Sequence, residues 1–181
     1  FRSYQIIILL TFSSSLLYSQ SDSPTFPESW LGKWKGDLYI DQAGKGTVQQ
    51  LTMELHVQDL EQDSTWQWKI IYRTDSSTDE RDYLLKLVDS SEGHYVIDEQ
   101  NGIELDSFWF DPVFSSRFIV SGQILLISYT QKEQSLAFEV HAGGAKPLQE
   151  TDWSDSTGTA PIHIESLPLK IRQHARLTRY E

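Results

Sequence analysis

Five histidines, a group of carboxylates about one turn and a basic stripe near the end are the side chains of this chain that could do chemistry, and their spacing makes no catalytic centre. His56 and His141 fall on the polar phase of alternating segments, beside Glu54 and Glu139. His94 stands in a turn, His163 follows a long polar stretch, and His174 shares a face with Arg172 and Arg176. A zinc site brings two imidazoles onto one ion through His-x-His or His-Glu-x-x-His, and neither occurs. Haem iron needs only one histidine, for which His141 and His163, flanking the polar stretch, are the first candidates. The expectation is no metal and no cofactor. Asp98, Glu99, Glu104 and Asp106 straddle Asn101-Gly102, where acids across a turn could work as an acid–base pair or hold a hard cation; the spacing is not that of a calcium loop. Gly-x-Ser-x-Gly and phosphate-cradling glycine loops are both missing. The stripe Lys170, Arg172, His174, Arg176 could capture a carboxylate, but such stripes more often pair with acids on neighbouring strands. Catalysis is not expected.

The more telling chemistry is apolar. Trp66, Trp68, Tyr72, Tyr83, Tyr95, Phe118 and Phe138 all fall on the apolar phase of segments with a period of two, and are the expected ligand-binding residues. In Leu51 to Gln58 the apolar side chains take the odd positions and the polar ones the even, and Trp66 to Arg73 repeats the pattern with large aromatics. Tyr83, Leu85 and Leu87 mark a further strand, and Tyr95 and Ile97 another. Asn101-Gly102 predicts a tight hairpin in which both turn residues take positive φ. Phe114 to Val120, Ile124 to Thr130 and Leu136 to His141 follow, the first two joined through Ser121-Gly122. Leu167 to Arg172 begins the last strand, with Pro168 at its start or on an edge. Residues 142–161, rich in Gly, Pro and acids around a lone Trp153, read as a long surface loop. The sum is an all-β chain: an antiparallel up-and-down barrel of about eight to ten strands.

Outside the strands, residues 1–19 have a basic start, a short apolar run and a small residue at Ser19, the pattern of a cleaved export signal. Residues 20–29 read as a mobile lead-in, and 30–181 as a single domain. The formal charge of −11 disfavours phosphate backbones, so nucleic acid is not an expected partner, and no stable membrane insertion is expected once the signal is removed. Without cysteine the chain can form neither disulfides nor thiolate metal sites, and it must rely on an apolar core.

Trp30-Leu31-Gly32-Lys33-Trp34-Lys35-Gly36 runs into the strand-like Asp37-Leu38-Tyr39-Ile40. Gly32-x-Trp34 in that position resembles the signature of the calycin group, which includes lipocalins and fatty-acid-binding proteins. The resemblance implies a lipocalin-like barrel in which Trp34 closes one end and a basic residue near the last strand packs over it. Arg172, Arg176 and Arg179 are available, and Gly32, Trp34, Gly36 and Arg176 form the expected closing set. The same heptapeptide is also similar to the start of nitrobindin-type haem barrels, without the further glycines and Tyr-Pro that follow there.

These readings converge on an exported protein, periplasmic or secreted, that binds a small lipophilic or flat hydrophobic molecule. Two alternatives stay open: a surface adhesion or carbohydrate-binding β module using Trp153 and Trp109 as stacking platforms, and a calycin-like isomerase or lyase. Whether the inward aromatics fill the barrel or line a hollow is the question left to the structure.

Overall fold

Alternation of apolar and polar side chains commits almost every described segment to a strand. The computed structural model describes residues 25–154 and 162–181. A 3-10 turn, Glu28–Trp30, leads into β1 (Gly32–Gln42), β2 (Gly46–Gln62), β3 (Thr65–Arg73), β4 (Thr78–Asp89) and β5 (His94–Asp98). These are followed by β6 (Glu104–Phe110), β7 (Val113–Val120), β8 (Gln123–Lys132) and β9 (Ser135–Gly144). The chain then makes a separate two-stranded ribbon, β10 (Gln149–Trp153) and β11 (Ile162–Ser166), and returns as β12 (Ile171–Arg179). Each barrel strand pairs antiparallel with its sequence neighbour, and β12 pairs with both β9 and β1. The result is the expected all-β, up-and-down architecture: a closed barrel of ten strands with no free edge.

The inward phase carries the core. Trp34 and Leu38 of β1, Leu55 and Val57 of β2, Trp68 of β3, Leu85 of β4, Phe114 of β7 and Phe138 of β9 are all buried. The start of β1 and the residues after β12 meet at one end of the barrel, where the Lys33 amide donates to the Glu181 carbonyl at 2.9 Å and the Tyr180 amide to the Lys33 carbonyl at 2.9 Å.

Three local expectations are revised. The lead-in was expected to be mobile over 20–29, yet its described part packs into that same end of the barrel, with Phe26 buried and followed by the fully buried Trp30. Two large aromatic side chains outweigh the polar residues around them, because their apolar area is worth more buried than solvated. Residues 20–24 and the expected export signal at 1–19 lie outside the described residues.

The described part of the expected loop at 142–161 is largely strand. Ala142–Gly144 still belongs to β9, and β10 pairs with β11 through Thr151↔Ile164 and Trp153↔Ile162, which gathers their apolar side chains on one face. Period two persists there beneath the Gly, Pro and acidic composition. Residues 155–161, the remainder of that segment, lie outside the described residues.

At Asn101-Gly102 the strands stop at Asp98 and Glu104, so the turn is wider than two residues. Positive φ falls on Gln100 and Gly102, while the Asn101 side-chain oxygen accepts from the Ile103 amide at 3.0 Å. That side chain makes its own turn in place of a left-handed backbone. Ser121-Gly122, by contrast, is the tight hairpin expected, with φ of 48° and 73° between Val120 and Gln123.

Candidate ligand-binding cavity

The two ends of the barrel differ in how they are filled. At the end where β1 begins and β12 finishes, Trp34 donates its indole N–H to the Trp30 carbonyl at 2.8 Å, and Trp30 donates its own to Gln131 Oε1 at 2.9 Å. Phe26 stacks on Trp109 with ring centres 4.5 Å apart and meets Tyr95 edge-on at 5.1 Å. The guanidinium of Arg179 lies 4.5 Å from the centre of the Trp34 ring and donates to the Ser29 carbonyl at 2.7 Å.

The basic residue over the tryptophan is therefore Arg179, not Arg176. Register decides this: Arg179 is the direct cross-strand partner of Trp34, whereas Arg176 stands on the outward phase between buried Ala175 and Leu177. Arg176 takes part through its backbone instead. A Cβ on Gly36 would lie 2.1 Å from the Arg176 carbonyl oxygen, so only glycine lets β1 and β12 approach this closely. Gly32, with φ of +125°, faces the Glu181 carbonyl in a similar way.

The opposite end is hollow. A cavity of about 690 Å³ opens there, within the range of small-molecule sites. Of the expected binding residues, Trp68, Tyr72, Tyr83, Phe118 and Phe138 line it. Trp66 and Tyr95 point inward but sit toward the plugged end, Tyr95 against Phe26 and Trp66 beside Tyr95. Alternation assigns a face but not a height along the barrel axis, and these two lie too low. Phe114 and Tyr129 line the cavity as well, from the inward phases of β7 and β8, where the apolar phase of each strand is the sequence signal for them.

One wall of the cavity is polar. Asp79, Arg81 and Tyr83 follow one another on the inward phase of β4, and Glu99 extends the inward phase of β5 next to Tyr83. Arg81 donates from Nε and Nη2 to one Asp79 oxygen at 3.0 and 2.8 Å, and its guanidinium sits 5.0 Å from the centre of the Tyr72 ring. Gln173 and Glu99 also reach the lining. Burial opposes the charge on Arg81, but the hydrogen bond to Asp79 prevails and holds its pKa above the usual value. Burial pushes the Tyr72 phenol up to about 12 and the Tyr129 phenol well above the usual value. The Tyr83 phenol is raised by burial first and then by the negative charge of Glu99. All three phenols thus remain neutral hydrogen-bond donors near neutral pH.

Several other titratable residues pair on the outer surface. His94 pairs with Asp106 at 2.8 Å, His163 with Asp152 at 2.8 Å on the ribbon, and His174 with Asp41 at 3.1 Å. Arg172 pairs with Glu139 and Lys86 with Asp98, so Arg172 and His174 of the basic stripe both meet acids on adjacent strands. Glu104, on the outward phase of β6, reaches the cavity only at its edge. His141 stands on the outer phase of β9. No histidine among the described residues lines the cavity. Among the described residues no three His, Asp or Glu side chains are grouped to hold a metal ion.

Glu54 breaks the strand pattern. It lies on the outward phase of β2 yet is 5% exposed. Desolvation pushes its pKa up, but hydrogen bonds from Tyr180, His56, Lys35 and Arg73 outweigh this and bring it down to about 2. Tyr180 donates at 2.9 Å, which clamps the C-terminal segment to the barrel wall.

No protein-family model matches this chain, and no curated protein matches its sequence.

Proposed function

We propose that this protein is an exported binder of one small lipophilic or flat hydrophobic molecule, carried inside a lipocalin-like, calycin-type barrel. The observation that carries the reading is the aromatic-lined cavity at one end of a barrel whose other end is plugged. Apolar area leaving water supplies the affinity, at about 25 cal/mol per Å² buried. Tyr72, Tyr83, Arg81 and Gln173 lie on one side of the opening, where they can orient a polar end of the ligand. The closing set Gly32, Trp34, Gly36 and Arg179 supports the calycin likeness by its position at the plugged end.

The alternatives have less to stand on. A carbohydrate platform would use Trp109, which is stacked against Phe26 within the plug, leaving Trp153 alone on the ribbon. An isomerase or lyase would want an acid or histidine set deep in the cavity, and the carboxylates reaching it, Glu99 and Glu104, belong to its opening.

Native mass spectrometry of the protein purified from its natural host tests the proposal. A reproducible bound mass, below about 1 kDa and lost on denaturation, is the expected result for a pocket of this size class. A clean unliganded mass, with no uptake from a lipid extract, would overturn it.

A further inference from the structure

The ligand-binding reading of the cavity leaves the chemical character of the ligand's polar end open, and the charges at the opening bear on it. Three ionised side chains follow the inward phase there: Asp79, Arg81 and Glu99. Arg81 is already committed, since Asp79 accepts two of its N–H groups and the Tyr72 ring lies against its face. Glu99 is not. The group that hydrogen-bonds to it is neutral, the Asn101 amide at 3.2 Å, and its inward-phase neighbour on β4 is the neutral Tyr83. Among the described residues no Lys, Arg or His nitrogen lies within 4 Å of its carboxylate. The inward-facing charges therefore leave one negative charge without a counter-ion, half-buried at the edge of an apolar cavity.

Burying an apolar ligand beside Glu99 strips water from that carboxylate, and a ligand that returns an opposite charge recovers the loss. Tyr83 and Phe118 line the same cavity, and the face of an aromatic ring attracts a cation and repels an anion. An anionic head would meet two carboxylates and a guanidinium that has already been neutralised. The acidity of the whole chain, at −11, draws cations toward the opening. We infer that the cavity selects amphiphiles bearing a protonated amine, with the ammonium against Glu99 and the apolar body among the aromatics.

The test is competition at neutral pH and low salt, in which dodecylammonium, dodecanol and dodecanoate, each below its micelle concentration, displace a neutral naphthyl fluorophore. The expected order is ammonium, then alcohol, then carboxylate, with at least about a tenfold gap between the two charged heads. Glu99→Gln should erase the preference for ammonium over alcohol, whereas Glu92→Gln, in an exposed turn near the plugged end, should keep it. Dodecanoate binding as tightly as dodecylammonium to the wild type would overturn the inference and leave the cavity reading intact. A preference that survives Glu99→Gln would do the same. Failure of the fluorophore and of all three competitors to bind would overturn the cavity reading itself, and this inference with it.

Discussion

Trp30→Ala removes the centre of the plug, and the structure sets the size of the effect. The side chain is fully buried, with its ring 5.0 Å from Phe26, 5.8 Å from Trp109, 6.1 Å from Trp68 and 6.3 Å from Tyr129. Truncating a buried tryptophan to alanine costs about 3–5 kcal/mol. Losing the indole donor to Gln131 adds about 1 kcal/mol. The bond from Trp34 goes to the Trp30 carbonyl and survives the change, so it adds nothing. At about 2–4 °C per kcal/mol for a domain of this length, the melting midpoint should fall by roughly 10–20 °C. Trp153→Ala is the matched control: the same residue type, 54% exposed on the ribbon, where substitution stays within about 0.5 kcal/mol. Thermal and urea unfolding followed by circular dichroism give both numbers. Equal midpoints for the two variants would refute the claim that the segment before β1 is an integral part of the barrel.

Other substitutions probe the remaining contacts. Arg179→Met should cost about 1–2 kcal/mol, from the packing on Trp34 and the bond to Ser29, while Arg176→Met should cost less than about 0.5 kcal/mol; urea midpoints separate them. Gly36→Ala should destabilise by about 1–3 kcal/mol, because its Cβ meets the Arg176 carbonyl and the strands must part, readable as a lower melting temperature. Glu54 links stability to acid. Its folded pKa of about 2 lies below the ordinary 4.5, so its contribution is fully present above pH 4.5 and is lost as the pH falls toward 2. That is a ceiling of about 3 kcal/mol over the window. Glu54→Gln should lower stability at pH 7 and flatten the acid limb of a stability-versus-pH curve; an unchanged acid limb would remove Glu54 as its source.

The sequence carried the strands because burying one face of a sheet forces a period of two, and segments such as Leu51 to Gln58 show it without interruption. It carried less of what depends on height and register. Trp66 and Tyr95 share the phase of Trp68 and Tyr83 but stand nearer the plug, a level fixed by the stagger between strands distant in sequence. Arg176 and Arg179 are equally placed for Trp34 on composition; only the pairing Trp34↔Arg179 separates them. The ribbon was hidden by its Gly, Pro and acids, although Ile162-His163-Ile164-Glu165 alternates as cleanly as any barrel strand. The plug was the least legible, since Phe26 and Trp30 belong to no periodic segment. Two large aromatics in an otherwise polar, proline-containing stretch were the one signal that it would be buried. The buried Glu54 is a tertiary effect: the residues that cover it come from β1, β3 and the C-terminal Tyr180, as well as from its own strand.

Titration of a neutral naphthyl fluorophore into the wild type and into Ile127→Trp, which places an indole on the cavity wall, tests the hollow interior most directly. A hollow barrel gives saturable binding of about one molecule per barrel at micromolar affinity or better, weakened at least about tenfold in Ile127→Trp with the β-sheet circular dichroism unchanged. Absence of saturable binding to the wild type, or equal affinity in the folded variant, would contradict it.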